Sequence, residues 1–369
     1  MNKLSVIRLL STVLITSTVL LNMTACTFSN TSSSKMSNSS AVTTSATPPV
    51  ESTDIQTTAK ESEAETTALS ERIQIRIAAL KGPTGMGLVN LMADQDAGTA
   101  ANDYSFTLSG SPDDIVAALT SGQADIAALP TNLAAVLYQK TNQNILLLAI
   151  NTLGVLYILE KGDTIHSLSD LSGRELLATG QGAVPEYVLN DLLENAALKE
   201  PVKIEYKAEH AELATLAAAG KVDLLMLPEP FVTTVLSKNP DYRIALDLTA
   251  EWQKIHQGTS ESELAMGCLV VTKTFAEAHP DAVKSFLTAY QTSTEQVNSD
   301  PSGAGQLIVT YGIMSDASLA ESAIPNCHIV MIQGTRMQPI LEPFYKILLT
   351  ANPKSIGGVL PDSNFYYIP

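Results

Sequence analysis

Ile73, Ile75 and Ile77 alternate with polar residues and run into Ala78, Ala79 and Leu80, the pattern of a strand half buried on a sheet. The run stops at Gly82-Pro83-Thr84-Gly85-Met86-Gly87, after which Leu88, Val89, Leu91 and Met92 take helical spacing. Tyr104 to Leu108 predicts a second strand, and Ser111-Pro112-Asp113 predicts the capped start of a helix carrying Ile115, Val116 and Leu119, which Gly122 ends. Asp125 to Leu129 is short and almost wholly apolar, as expected of a strand buried in a parallel sheet. The order is β-α-β-α-β.

The design recurs at a fixed offset. Gly122, Asp125, Leu129 and Pro130 correspond to Gly220, Asp223, Leu227 and Pro228, and Gly82 corresponds to Gly180 at the same spacing. Two equivalent α/β lobes are implied, with a cleft between them and ligand contacts at the carboxyl ends of the strands. The loops at those ends are Gly82 to Met86, Pro130 to Asn132, Gly180 to Pro185 and Pro228 to Pro230. Several lead into helices, whose free N–H groups favour an anionic or polar ligand group; the glycines alone require only tight turns. Farther on, Val283, Phe286, Leu287 and Tyr290 mark an amphipathic helix after Pro280, and Ile340, Leu341, Phe344 and Leu348 mark a final one. Trp252 is read as a packing or rim residue, and Tyr366 and Tyr367 as a seal on the last helix.

Before Arg72 the pattern is of another kind. Lys3 and Arg8 precede a short apolar stretch, Leu9 to Leu21, that ends at Met23-Thr24-Ala25-Cys26. That is the form of an export signal over 1–25, and the small residues before Cys26 resemble a bacterial lipobox, which would make Cys26 a lipidation site and the outer face of the cell membrane the location. From Thr27 to Ser70, 21 of 44 residues are Ser or Thr, so 26–70 is expected to be a disordered tether. The chain carries 22 Lys+Arg against 38 Asp+Glu, a net charge of −16, which argues against nucleic acid as a partner.

The run Ser167-Leu168-Ser169-Asp170-Leu171-Ser172-Gly173-Arg174, the loop Gly180-Gln181-Gly182-Ala183, the stretch Ala217 to Asp223 and Pro228-Glu229-Pro230-Phe231 resemble the substrate-binding proteins of ABC importers. The branch is the one for nitrate, sulfonate, taurine and thiamine-precursor uptake (NMT1/THI5-like). The resemblance implies an α/β, two-lobed type II periplasmic-binding-protein fold, each lobe a mostly parallel sheet flanked by helices and linked by a hinge. Lobe one would take 71–152 and 265–369, lobe two 153–264, with hinge residues Asn151, Thr152 and Met266. It implies a small solute (a sulfonate, an amino-pyrimidine or similar) and ABC permease subunits as partners, and no catalysis. The expected ligand-binding residues are Thr84, Gly85, Met86, Thr131, Asn132, Gln181, Gly182, Ala183 and Glu229.

Relatives often carry an Asp-Pro or Trp-Asp-Pro pair where this chain has Glu229-Pro230. If Glu229 faced the cleft, its carboxylate would repel a bare oxyanion by roughly 4 kcal/mol at a few ångströms, favouring a ligand with both an anionic and an amino group. The carboxylate could equally turn outward or pair with a cation. A thiamine-pyrimidine-synthase-like enzyme on the same fold is a competing reading, but it resembles proteins with a cysteine-rich loop, whereas only Cys268 and Cys327 remain here beside Cys26. A surface scaffold is the other alternative. No Gly-x-Ser-x-Gly, Walker loop or His-Glu-x-x-His occurs, and His166, His210, His256, His279 and His328 lack ligand spacing, so neither cofactor nor metal is expected. Cys268 and Cys327 either pair as a disulfide or serve as small core residues.

Overall fold

Each apolar run named above is closed by a Gly or Pro turn, and the alternation of strands and helices follows those turns in a computed structural model that describes residues 72–256 and 263–369. These lie within one compact unit, Ala68–Pro369. The export signal, Cys26 and the tether lie outside the described residues.

The first lobe opens with β1 (Gln74–Leu80), α1 (Pro83–Met86), α2 (Val89–Ala97), β2 (Asp103–Ser109), α3 (Pro112–Thr120), β3 (Ile126–Pro130), α4 (Thr131–Lys140) and β4 (Ile145–Thr152). The chain then crosses to the second lobe: β5 (Leu156–Lys161), β6 (Glu175–Thr179), α5 (Val184–Asn195), β7 (Lys203–Lys207), α6 (His210–Ala218), β8 (Leu224–Pro228), α7 (Phe231–Lys238), β9 (Tyr242–Asp247) and α8 (Leu248–Ile255). It returns through β10 (Gly267–Thr272), α9 (Lys273–Ala278), α10 (Pro280–Ser299), α11 (Pro301–Thr310), α12 (Ala317–Ala323), β11 (Ile329–Gln333) and α13 (Met337–Ala351). The glycine loop after β1 contains the short α1, so the helix expected there starts later. Ser111 precedes α3 but makes no side-chain cap bond; Pro112 at the first helical position and the acids Asp113 and Asp114 mark that start instead.

Two sheets result, ordered β11-β4-β10-β3-β1-β2 and β7-β6-β8-β5-β9. The repeat is visible strand by strand. In one sheet β1 runs parallel to β2 and β3, and in the other β6 runs parallel to β7 and β8. Each trio is extended by an antiparallel strand, β10 against β3 and β5 against β8. Even the terminal bonds correspond: the Thr272 amide donates to the Asp125 carbonyl at 2.9 Å, and the Lys161 amide to the Asp223 carbonyl at 2.7 Å. Gly122 (φ 72°) and Gly220 (φ 69°) both hold the left-handed conformation after their helices, which a side chain would strain.

The six-stranded sheet is buried on both faces. Ile75, Ile77 and Ala79 of β1 pack with Phe286 and Tyr290 of α10, while Ala78 turns to the cluster that holds Tyr138, Phe344 and Trp252. Each large apolar side chain so buried contributes about 1.5–3 kcal/mol. Trp252 is fully buried, its ring edge-on to Phe344 at 5.9 Å, so its role is packing. The Tyr367 amide donates to the Leu147 carbonyl at 2.9 Å, fixing the tail on β4.

Cys268 and Cys327 are both free and buried, so the disulfide alternative is not realised. Cys268 directs its thiol at the Leu129 carbonyl (3.5 Å) inside the sheet, and Cys327 sits in a separate cluster with Met86, Val297 and Ile329. Burial pushes both thiols well above their ordinary pKa.

Candidate functional site

The carboxyl ends of β1, β3, β6 and β8 converge on a cavity of about 860 Å³ between the two sheets' lobes. Positions related by the repeat offset line it in pairs: Gly82 with Gly180, Thr84 with Gly182, Pro130 with Pro228, and Asn132 with Pro230. Parallel β-α units expose their strand-to-helix loops at one end, so two copies facing each other present matching loops to one space.

Of the residues singled out from sequence, Thr84, Asn132, Gly182, Ala183 and Glu229 line this cavity, as do Thr152 and Met266. Gly85, Met86, Thr131 and Gln181 do not. A Cβ on Gly85 would come within hard contact of the Leu80 carbonyl, so that residue serves a close backbone approach. Met86 is fully buried among Val297 and Ile329. Thr131 is fully buried too; its hydroxyl donates to the Ala265 carbonyl at 2.7 Å, which ties α4 to the second crossing. Gln181 is exposed beside the cavity. Asn151 is buried and donates from Nδ2 to the Thr84 carbonyl at 2.9 Å, holding the loop after β1 from behind.

Glu229 is only 2% exposed. Its Oε2 accepts from the Thr233 amide (3.1 Å) and its Oε1 from the Thr233 hydroxyl (2.9 Å) and from Asn326 Nδ2 (3.3 Å). The carboxylate therefore binds the first turn of α7 and reaches the returning segment while lining the cavity. Burial raises its pKa, against the lowering effect of those bonds and of nearby His328.

Sequence reading missed several lining residues. His210 opens α6, and its Nδ1 lies 2.7 Å from the Thr179 hydroxyl, with the Phe231 ring 5.4 Å away. Burial lowers the His210 pKa, keeping the ring neutral at pH 7. The repeat offset could have found it, since His210 is the counterpart of Pro112, and Phe231 that of Leu133; all four line the cavity. Lys81, Tyr187, Met314, Asn352 and Lys354 also line it. Asn352 Nδ2 donates to the Tyr187 hydroxyl (2.8 Å), which in turn donates to the Gly182 carbonyl (3.0 Å), so the segment after α13 touches the lobe-two loop through one tyrosine. No group of three or more His, Cys, Asp or Glu able to hold a metal occurs among the described residues.

Residues 105–304 match the family described as NMT1/THI5 like. Among solved structures, an ABC transporter protein from Parabacteroides distasonis is 24% identical, with a TM-score of 0.68, covering 81% of this chain and 99% of its own. The periplasmic aliphatic sulphonate binding protein SsuA from Escherichia coli is 16% identical, with a TM-score of 0.61 and coverage of 78% and 96%. The ligand-binding component of an ABC-type import system from Staphylococcus aureus, solved with zinc bound, is 15% identical, with a TM-score of 0.59 and coverage of 80% and 97%. No curated protein matches the sequence. At these identities the likeness fixes the fold: two α/β lobes of the periplasmic-binding-protein type, joined by two crossings near 153–155 and 263–266.

Proposed function

The chain belongs to the NMT1/THI5-like family, and from that premise we propose that it is the extracytoplasmic solute-binding component of an ABC importer. It captures a small polar or amphiphilic solute between its lobes and delivers it to permease subunits, without catalysis. The observation that carries this reading is the cavity of about 860 Å³ lined by repeat-related loops of both lobes, a volume suited to a small organic molecule. The two crossings serve as the hinge, with Thr152 and Met266 at the cavity floor, and ligand binding closes the lobes. Cys26, thioether-linked to lipid, anchors the chain through the Ser/Thr-rich tether.

The His210–Thr179 pair does not favour an enzyme, because Thr179 is fully buried and its hydroxyl orients the imidazole from behind instead of meeting a substrate. Native mass spectrometry of protein purified from its own host tests the reading directly. A co-purified small molecule that raises the melting temperature of stripped protein and reduces its radius of gyration in small-angle scattering supports a receptor; at a hundredfold excess over Kd the stabilisation is about 2.7 kcal/mol. Absence of any ligand-dependent stabilisation or compaction, or turnover of the bound molecule, would overturn it.

A further inference from the structure

The lobe-two loops that spacing assigns to an anion are already engaged by the chain's own acids. The Gly182 amide, just before α5, donates to Glu186 Oε2 at 2.6 Å, and the Thr233 amide in the first turn of α7 donates to Glu229 Oε2 at 3.1 Å. An oxyanion arriving at either helix end would have to displace a carboxylate and then remain beside it, which its charge opposes.

The opposite wall carries the opposite charge. Lys81, directly after β1, and Lys354, in the turn after α13, both line the cavity, and neither ammonium has an ion-pair or hydrogen-bond partner among the described residues. The acids that line it, Glu209 and Glu229, both belong to lobe two. In a chain of net charge −16, two unpartnered cations on one side of one cavity give the cleft a polarity. Between the charged walls the lining is apolar, with Leu133 and Met314 facing lobe two's Val184 and Phe231. His210 adds one nitrogen, Nε2, that has no partner among the described residues.

We infer that the solute is an organic acid with an apolar body, its anionic end held by Lys81 and Lys354 on lobe one and its body against Phe231 and His210 on lobe two, while Glu186 and Glu229 deny oxyanions the lobe-two helix ends. This rests on the solute-binding reading and deepens it. The cavity is far larger than an inorganic oxyanion, and the exposed lysines make recognition of the acid dependent on salt.

Titration calorimetry on the full chain separates the possibilities, with sodium sulfate, 4-phenylbutyrate, octanesulfonate, 4-phenylbutyramide and phenethylamine as probes. The two amphiphilic acids should bind, and the amide, the amine and sulfate should bind at least tenfold more weakly. Each of Lys81→Met and Lys354→Met should weaken the acids by about tenfold and reduce the salt dependence while leaving the melting temperature of unliganded protein unchanged. Glu186→Gln should gain affinity for sulfate. An organic acid recovered by native mass spectrometry replaces the panel acids in the variant measurements if it binds more tightly. Tighter binding of sulfate, the amide or the amine, a neutral or cationic co-purified solute, or affinity unchanged in both lysine variants would overturn the inference and leave the receptor reading standing. If no solute of any class binds or co-purifies, the receptor reading itself fails.

Discussion

His328 Nδ1 donates to the Gly154 carbonyl at 2.5 Å. Gly154 lies in the first crossing between lobes and His328 precedes β11 on the returning chain, so the crossing peptide is held from outside its own segment. The Leu153 amide donates to the His328 carbonyl at 3.1 Å, which closes a reciprocal pair around the crossing. A Cβ on Gly154 would run into the Thr249 hydroxyl and come within 2.9 Å of Leu264, where the second crossing passes.

Gly154→Ala should therefore force the two crossings apart and lower stability by about 1–3 kcal/mol. His328→Ala, which removes one hydrogen bond and leaves the carbonyl to water, should lower it by about 1 kcal/mol. Urea denaturation of both variants checks this ranking, and an alanine at 154 with wild-type stability would contradict the close packing of the crossings.

The internal repeat makes a differential prediction. Asp125 is 7% exposed and accepts from the Arg76 amide at 2.9 Å, Arg76 Nε at 2.9 Å and the guanidinium NH2 group at 2.5 Å. Its counterpart Asp223 is exposed. Asp125→Ala should destabilise by about 2 kcal/mol, since it strands a backbone N–H as well as a guanidinium, whereas Asp223→Ala should stay within about 0.5 kcal/mol of wild type. Equal effects in thermal melts would show that the equivalence of sequence extends to energetics, contrary to the contacts.

Two buried acids should tilt the pH dependence of stability in opposite directions. At Glu160 burial opposes the charge, but the Thr164 hydroxyl, the Ile165 and Thr164 amides and Arg243 outweigh it and hold the pKa below its ordinary value of 4.5. Its ionised form stabilises the fold above that value, and the contribution is lost as pH falls through the depressed folded pKa. At Glu229 burial raises the pKa above 4.5. Here the folded state keeps its proton longer, so stability is present below 4.5 and is lost as pH rises through the raised folded value. Melting temperatures from pH 3 to 8 should show Glu160→Gln losing the advantage gained on leaving acid, and Glu229→Gln removing a loss on approaching neutrality. The same slope change in both variants would be inconsistent with these environments.

Cys268 and Cys327 should resist iodoacetamide in the native protein and both react once the chain is unfolded in guanidinium without reductant, as read at each position by peptide mass mapping. A folded protein that gains label within minutes, or an unfolded one that gains none at these two positions, would contradict buried free thiols.

Much of the architecture is written in local pattern. The glycines at 82, 122, 180 and 220 punctuate strands whose apolar runs carry their own period, and the offset between them is a direct record of the duplicated unit. The loops that build the cleft followed from that. Side-chain direction did not, because it depends on which way a helix enters: Thr131 and Asn132 are adjacent, yet the first is tied into the second crossing while the second lines the cavity. Asn352 and Lys354 were out of reach for another reason. They arrive at the cleft by the packing of α13, and nothing in their neighbourhood along the chain distinguishes them from an ordinary surface turn. Glu229 was noticed and lines the cavity, but its bonds to Thr233 were not foreseen, although a carboxylate before a helix has an amide four residues ahead to satisfy it.

The position of β10 has a bearing on how the protein is made. It lies between β3 and β4, so until residues 267–272 have emerged, the strands encoded before residue 152 form two fragments with no shared edge. Every strand of the five-stranded sheet, by contrast, falls between 156 and 247. Synthesis from the N-terminus thus completes the lobe encoded second before the lobe encoded first. In that interval the open margins of β3 and β4, both apolar, are the surfaces on which a nascent chain is most exposed to pairing with a neighbour.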